Sequence, residues 1–455
     1  MADPLTADHG PPNMDHIKHL QCLICAKQYA PDEVDYVCPD HGNEGIVDVC
    51  YDYGLIATRI GPETLGQNPD TTIWRYKPLL PVQPDAPVPP LAVGWTPLYT
   101  APRLADSLGL RHLWIKDDGR QPTASFKDRA SAVAVVKAQE KGAEIITTAS
   151  TGNAAAALSG LCASVAQANV IFVPESAPPA KIAQLLAFGS TVMLVDGTYD
   201  DAFELCLQAA DAYGWYNRNT AFNPYMTEGK KTVSYEICEQ LTMEDASGNA
   251  SPLHWEAPDA IFVSVGDGCI IGGVHKGLKD LLALGWISHM PRIYGVQAAG
   301  SNYLAEAWEN DEDVLTKPPI DAHTVADSIS AGLPRDRIKA MAAVCETGGA
   351  YITVSDDEIL TAIPTLARGV GVFAEPAGAA AYAGLVKAVG QDMVQPNDRI
   401  VVVNTGNGLK DIKSAMKSVE MVGTEPHRVE ATMDAVKAVL VTADHGPPTA
   451  ESPCR

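Results

Sequence analysis

From about Gly94 to Lys417 the sequence alternates short β-branched runs with alanine-rich segments of helical pattern, and no other feature limits the fold so tightly. The runs Ile145–Ala149, Val170–Val173, Thr191–Val195, Ala260–Val265, Arg292–Gln297 and Arg399–Asn404 read as continuous apolar stretches, which predicts strands buried on both faces. Between them, Arg129–Glu140, Ala154–Val165, Ile182–Phe188 and Ala377–Val389 predict helices. Strand and helix in alternation give an α/β chain with a parallel sheet covered on both sides. Such sheets bind ligands at the carboxyl ends of strands, where loops meet helix N-termini.

The rest of the chain narrows the function classes. At 455 residues it exceeds one ordinary core, so two or three domains are expected. A net charge of −23, from 33 basic and 56 acidic side chains, repels polyphosphates, which argues against nucleic acid and anionic membranes as partners. No apolar run is long enough to span a bilayer. The N-terminus is polar and lacks the basic and apolar blocks of a signal peptide, which predicts the cytoplasm. There the ten cysteines are expected to be thiols or metal ligands. A proline-rich connector (Pro78, Pro81, Pro84, Pro87, Pro89, Pro90) follows the cysteine-bearing N-terminal segment. The heptapeptide TADHGPP occurs at Thr6–Pro12 and again at Thr442–Pro448. Two copies make no repeat architecture, and both read as loop or tail.

Four motifs sit where the alternation puts strand ends and helix starts. In Pro122-Thr-Ala-Ser-Phe-Lys127-Asp-Arg129 a lysine opens a helix. The helix dipole disfavours a cation there, and with desolvation it lowers the amine's pKa and frees a nucleophile, as an aldehyde cofactor requires. Ala149-Ser150-Thr151-Gly152-Asn153 offers hydroxyls and amides at a helix start, suited either to a plain cap or to an anion. Val265-Gly266-Asp267-Gly268-Cys269-Ile270-Ile271-Gly272-Gly273 lets the backbone approach a phosphate. It has neither the Gly-Lys-Ser/Thr of a Walker loop nor dinucleotide spacing, and Asp267 must point its carboxylate away. Val403-Asn404-Thr405-Gly406-Asn407-Gly408-Leu409-Lys410 places a hydroxyl where it can meet a pyridine nitrogen. Read alone, each loop is also a tight turn.

Taken in order, these motifs resemble the threonine synthase family of fold-type II pyridoxal-phosphate (PLP) enzymes. The strings SFKDR, TGNGLKD and EPAGAA, with Gly94-Trp-Thr-Pro-Leu98, Asn223-Pro-Tyr225, Glu228-Gly-Lys-Lys-Thr232 and Ala326-Asp-Ser-Ile329, carry the likeness over about Cys22 to Lys413. The resemblance implies two doubly wound open parallel-sheet domains. A large PLP-binding domain would span residues 54–145 and 225–430, with a small α/β domain at 146–224. A knuckle-like segment at 1–53 and a tail at 431–455 would flank them. It also implies a homodimer and a PLP-dependent lyase that turns O-phospho-L-homoserine and water into L-threonine and phosphate. Lys127 would carry the cofactor as an imine and act as the catalytic base. Asn153, Gly266, Asp267, Gly268, Cys269, Ile270 and Thr405 would bind the cofactor. Lys116, Ser150, Thr151 and Asn223 would contact the substrate. Two departures stand out: Ala154 where many relatives have threonine, and Met226 where many have an arginine suited to gripping a substrate phosphate. They leave room for a related lyase or β-replacement enzyme, such as a serine/threonine dehydratase or a cysteate synthase-like enzyme. More remote is a non-catalytic scaffold.

Cys22-x2-Cys25 and Cys38-x2-His41 form a separate constellation, three thiolates and an imidazole able to complete a tetrahedral structural zinc site. A polar segment this short has little core of its own, which favours a metal.

Overall fold

The computed structural model describes residues 14–442, apart from residues 151, 176, 178, 245–253 and 424. Thr151 and the first TADHGPP copy lie outside the described residues, as does nearly all of the second. Three sheets organise the chain. The first holds β1 (Ile17–Cys22), β2 (Gln28–Tyr29) and β3 (Val47–Tyr51). They run antiparallel in the order β2-β1-β3.

The chain then builds β4 (Leu98–Thr100) and β5 (His112–Asp117). A second region supplies β6 (Ile145–Ala149), β7 (Ala168–Pro174), β8 (Thr191–Val195) and β9 (Tyr216–Asn217). The remaining strands are β10 (Ala260–Ser264), β11 (Arg292–Ala298), β12 (Tyr351–Val354) and β13 (Arg399–Asn404). They form a six-stranded sheet, β12-β11-β10-β13-β5-β4, and a four-stranded sheet, β8-β7-β6-β9. Every pairing in both is parallel except that of the edge strand β4 with β5. The chain is thus a doubly wound α/β protein, and all six strands anticipated from apolar runs are present.

Burial explains why those runs were visible. Every residue of β10 is buried, as are all but the first of β13 and of β11. Helices cover both faces of the six-stranded sheet, giving one cluster around Ile261, Val263, Val401 and Val403 and another around Phe262, Val296, Ile400 and Val402. Alternate residues of one strand therefore enter opposite cores. Among the described residues no helix is long and apolar enough to cross a membrane.

The connections that matter lie at carboxyl ends of strands. Helix Lys127–Glu140 follows β5, helix Asn153–Ser164 follows β6, and helix Cys269–Ala283 follows β10. Helix Pro376–Gly390 packs across β10, β11, β12 and β13.

Candidate active site

Lys127 is placed by its neighbours in the motif. The carboxylate of Asp128 turns back on the loop, accepting from the Thr123 N–H at 2.6 Å and from the Thr123 hydroxyl. Arg129 goes the other way and is fully buried, donating to Asp118 at 2.6 and 2.9 Å and to Glu236 at 2.5 and 2.8 Å. The preceding loop is stapled to the Thr405 region: Phe126 N–H donates to the Thr405 carbonyl at 2.9 Å, and Asn407 N–H to the Ala124 carbonyl at 3.1 Å. Ala124 is held at φ +65°, a conformation costly for a residue with a Cβ. These ties leave Lys127 lining a cavity of about 480 Å³, where its amine makes no side-chain hydrogen bond or ion pair with a described residue. Burial pushes that amine below its ordinary pKa, and the nearby Arg218 adds to the effect.

The cavity brings Lys127 together with Ser150, Asn153 and the whole segment Gly266–Ile270. Gly266 and Gly268 are needed there for space and for conformation. A Cβ on Gly266 would lie 2.7 Å from the Ile329 backbone, and Gly268 has φ +88°. The resulting loop presents the N-terminus of the fifteen-residue helix Cys269–Ala283 to the cavity, a setting suited to phosphate. Asp267 lines the cavity with the loop; its carboxylate accepts from the Arg335 N–H at 3.4 Å, and burial raises its pKa. Asn153 donates to Glu375 at 2.6 Å and to the Ser328 hydroxyl at 3.4 Å. Thr405 is buried beside the start of the Lys127 helix, and its hydroxyl is engaged by no described residue.

Two of the expected substrate contacts, Lys116 and Asn223, are engaged by other residues of the chain. Lys116 is fully buried, and its ammonium is spent on the Thr96 carbonyl at 2.7 Å, Glu236 at 2.7 Å and Gln240 at 2.8 Å. With three donors and three acceptors, none is left for a substrate. Asn223 lies outside the cavity lining and is also committed, donating to the Asn217 carbonyl at 2.8 Å and accepting from Tyr225 N–H at 3.0 Å. Both hold the scaffold. Met226 is likewise fully buried.

Glu375 and Arg218 were not assigned roles by sequence reasoning. Glu375 had a signal, since it stands in the EPAGAA string. Arg218, a lone arginine between two asparagines, had none.

At the N-terminus the sulfur atoms of Cys22, Cys25 and Cys38 lie within 4.8 Å of one another. The Tyr29 hydroxyl stands 2.9 Å from the Cys38 sulfur. The His41 ring is not within that set, although its Nε2 is buried with no partner. Three of the four expected donors are therefore assembled. A closed tetrahedral site needs the His41 ring to turn in, or a different fourth ligand.

Residues 90–406 match the family described as pyridoxal-phosphate dependent enzyme. Over 422 residues the chain is 35% identical to the threonine synthase of Methanocaldococcus jannaschii, covering 92% of this chain and 98% of that one. It is 36% identical to the threonine synthase of Methanosarcina acetivorans, covering 93% and 98%. Among solved structures, threonine deaminase isoform 2 of Solanum lycopersicum aligns with a TM-score of 0.60 at 24% identity, over 72% of this chain and 83% of that one, which is a likeness of fold.

Proposed function

The chain belongs to the pyridoxal-phosphate-dependent enzymes, and within them to the threonine synthases; from that premise we propose that it uses the cavity at Lys127 to convert O-phospho-L-homoserine and water into L-threonine and phosphate. It is a PLP-dependent lyase. The observation that carries the reading is the Lys127 amine, unpaired and desolvated, in one cavity with the glycine loop of residues 266–270.

The residues fit the cofactor on physical grounds. The amine of Lys127 supplies the covalent anchor. The amides of Gly266–Ile270 and the helix they open suit its phosphate. Asn153, which lines the cavity, would meet the ring's hydroxyl, and the hydroxyl of Thr405, beside the cavity lining, would meet the ring nitrogen. A hydroxyl, unlike a carboxylate, does not hold that nitrogen protonated. When bound, the cofactor supplies an electron sink for bonds broken at the substrate's α carbon. With substrate bound, the Lys127 amine would be the base that takes the α proton. Its lowered pKa keeps a neutral fraction available for that task. Ser150, with Thr151, would orient the substrate carboxylate. Loss of a β proton then lets phosphate leave from the γ carbon, the γ carbon takes up a proton, and water adds at the β carbon.

The direct test supplies O-phospho-L-homoserine, serine and threonine in parallel and assays inorganic phosphate and keto acid. Phosphate with threonine from the first substrate supports the proposal. Keto acid from serine or threonine, with no phosphate release from the first, favours the dehydratase reading that Met226 leaves open. A homodimer and a cytoplasmic location go with this reading as proposals, tested by light scattering and cell fractionation. We also propose a structural zinc ion on Cys22, Cys25, Cys38 and His41. Its support is the three converged sulfurs and the unpartnered, buried Nε2 of His41.

A further inference from the structure

Among the described residues, no carboxylate forms an ion pair with the buried Arg218. Its side chain is about 1% exposed. Nε donates to the Ser131 hydroxyl at 3.2 Å and Nη1 to the Thr220 hydroxyl at 3.4 Å, while Nη2 is buried with no partner. Arg218 lines the same cavity as Lys127 and the loop Gly266–Ile270. Lys230, fully buried, donates to that same Thr220 hydroxyl at 3.3 Å. Two like charges thus converge on one neutral oxygen.

Such an arrangement is costly without an anion, because a desolvated charge must be paired. Two other cations near the cavity are already matched: Arg335 pairs with Asp200 at 2.7 Å, and Lys181 pairs with Asp327. The acids within electrostatic reach of Arg218 and Lys230 form no ion pair with them. Asp128 accepts from Thr123, Asp267 accepts from the Arg335 backbone, and both oxygens of Asp336 are buried with no hydrogen bond. Burial lowers the pKa of both cations, Lys230 to about 8 and Arg218 to about 10. The reaction brings two phosphoryl groups to this cavity, one on the cofactor and one on the substrate, and position 226 offers only a buried methionine.

We propose that Arg218, with Lys230 behind it and Thr220 between them, forms a subsite for a phosphate dianion, which takes over the charge-pairing absent at Met226. The guanidinium supplies two donors to phosphate oxygens in a fixed plane. This rests on the reading of the cavity as a threonine synthase site, but only for which phosphate fills it.

The test uses the variants Arg218→Met, Arg218→Lys and Lys230→Met, each full length. Three measurements are made: the Kd of inorganic phosphate for the holoenzyme by calorimetry, the KM of O-phospho-L-homoserine, and the Kd values of PLP and of unphosphorylated pyridoxal for the apoenzyme. For Arg218→Met at least a tenfold loss of phosphate affinity is expected, with partial recovery in Arg218→Lys. If the substrate's phosphate is the ligand, KM rises as much and PLP affinity holds. If the cofactor's phosphate is the ligand, PLP affinity falls and pyridoxal affinity does not. The thermal midpoint of the apoenzyme should stay level or rise, since an unpaired buried charge has been removed. Phosphate, substrate and PLP constants all within twofold of wild type overturn the proposal, as does a lowered apoenzyme midpoint with phosphate affinity intact. Lys230→Met is read in the same assays, so the inference survives a poorly folding Arg218 variant as a testable one. Absence of any turnover of O-phospho-L-homoserine by wild type would sink the proposed reaction while leaving the inorganic phosphate measurement decisive here.

Discussion

Asn153 donates a 2.6 Å hydrogen bond to the buried carboxyl group of Glu375, 222 residues further along the chain. The contact joins the first residue of the helix after β6 to the residue that caps helix Pro376–Gly390, so it fixes how the amide faces the cavity. Glu375→Ala frees that amide. A loss of about tenfold in PLP affinity is expected, or about 1.4 kcal/mol, read by spectroscopic titration of the apoenzyme. Unchanged affinity would show that Asn153 needs no such support.

Lys127→Ala should abolish covalent attachment. Wild type should be yellow, should bleach with borohydride, and should carry the reduced adduct on the peptide containing Lys127. The variant should show no adduct, and phosphate release should fall by about 10²- to 10⁴-fold or more, the range for removal of a positioned base. An adduct mapped to any other lysine defeats the assignment.

Lys116 is expected to matter for stability and not for substrate. It belongs to the buried cluster with Glu236, Arg129 and Asp118. Glu236→Ala would leave Lys116 and part of Arg129 uncompensated, at about 3–5 kcal/mol, measured by urea unfolding. Lys116→Met should lower stability while leaving KM within about twofold, since no donor of Lys116 reaches the cavity. A tenfold rise in KM without loss of stability would restore it as a substrate contact.

The same cluster sets an acid limb. Burial alone would raise the Glu236 pKa, but Arg129 and Lys116 outweigh it and hold the group at about 2, against 4.5 unperturbed. A depressed carboxylate contributes stability that is complete above its unfolded pKa and lost as pH falls towards the folded value. Stability from this site should therefore decline between about pH 4.5 and pH 2, and Glu236→Gln should flatten that limb. An unaltered pH profile in the variant would show that other carboxylates govern acid unfolding.

Elemental analysis should find about one zinc ion per chain if the three thiols and His41 form a closed site. Cys38→Ser should lose it, and a strong chelator should lower the thermal midpoint of wild type but not of the variant. His41→Ala separates the two ways of completing the site: retained zinc would mean that another ligand is the fourth.

The sequence made the central strands legible because they are buried on both sides, whereas Thr191–Val195, expected to be buried likewise, is an edge strand with no buried residue. Ala260–Val265 and Arg399–Asn404 have no solvent face, so they read as unbroken apolar runs. The antiparallel edge strand Leu98–Thr100 is too short for such a pattern and was not foreseen. In the site, Lys127 stood out because it opens a helix within the run Ser125-Phe126-Lys127-Asp128-Arg129. The engagements of Lys116 and Asn223 could not be read from the sequence: a polar residue in a motif is read as facing a ligand, and only the fold brings in the partners that occupy it. Glu236 is 120 residues from Lys116. Arg218 was illegible for the converse reason, since its significance lies in the ion pair that no described carboxylate makes with it.

The N-terminal sheet is fastened to the machinery rather than set beside it. Ile46 shares a small buried cluster with Ala221 and Cys269, Leu23 from the cysteine loop packs on that cluster, and Asp48 pairs with Lys276 at 2.8 Å on the helix that Cys269 opens. Glu44 pairs with Arg337 nearby. The backbone amides of the glycine loop therefore rest on a foundation some 220 residues upstream by chain order, and damage to the thiol cluster would be felt first as a cradle that grips its cofactor less firmly, before the large sheet loses any of its cooperativity.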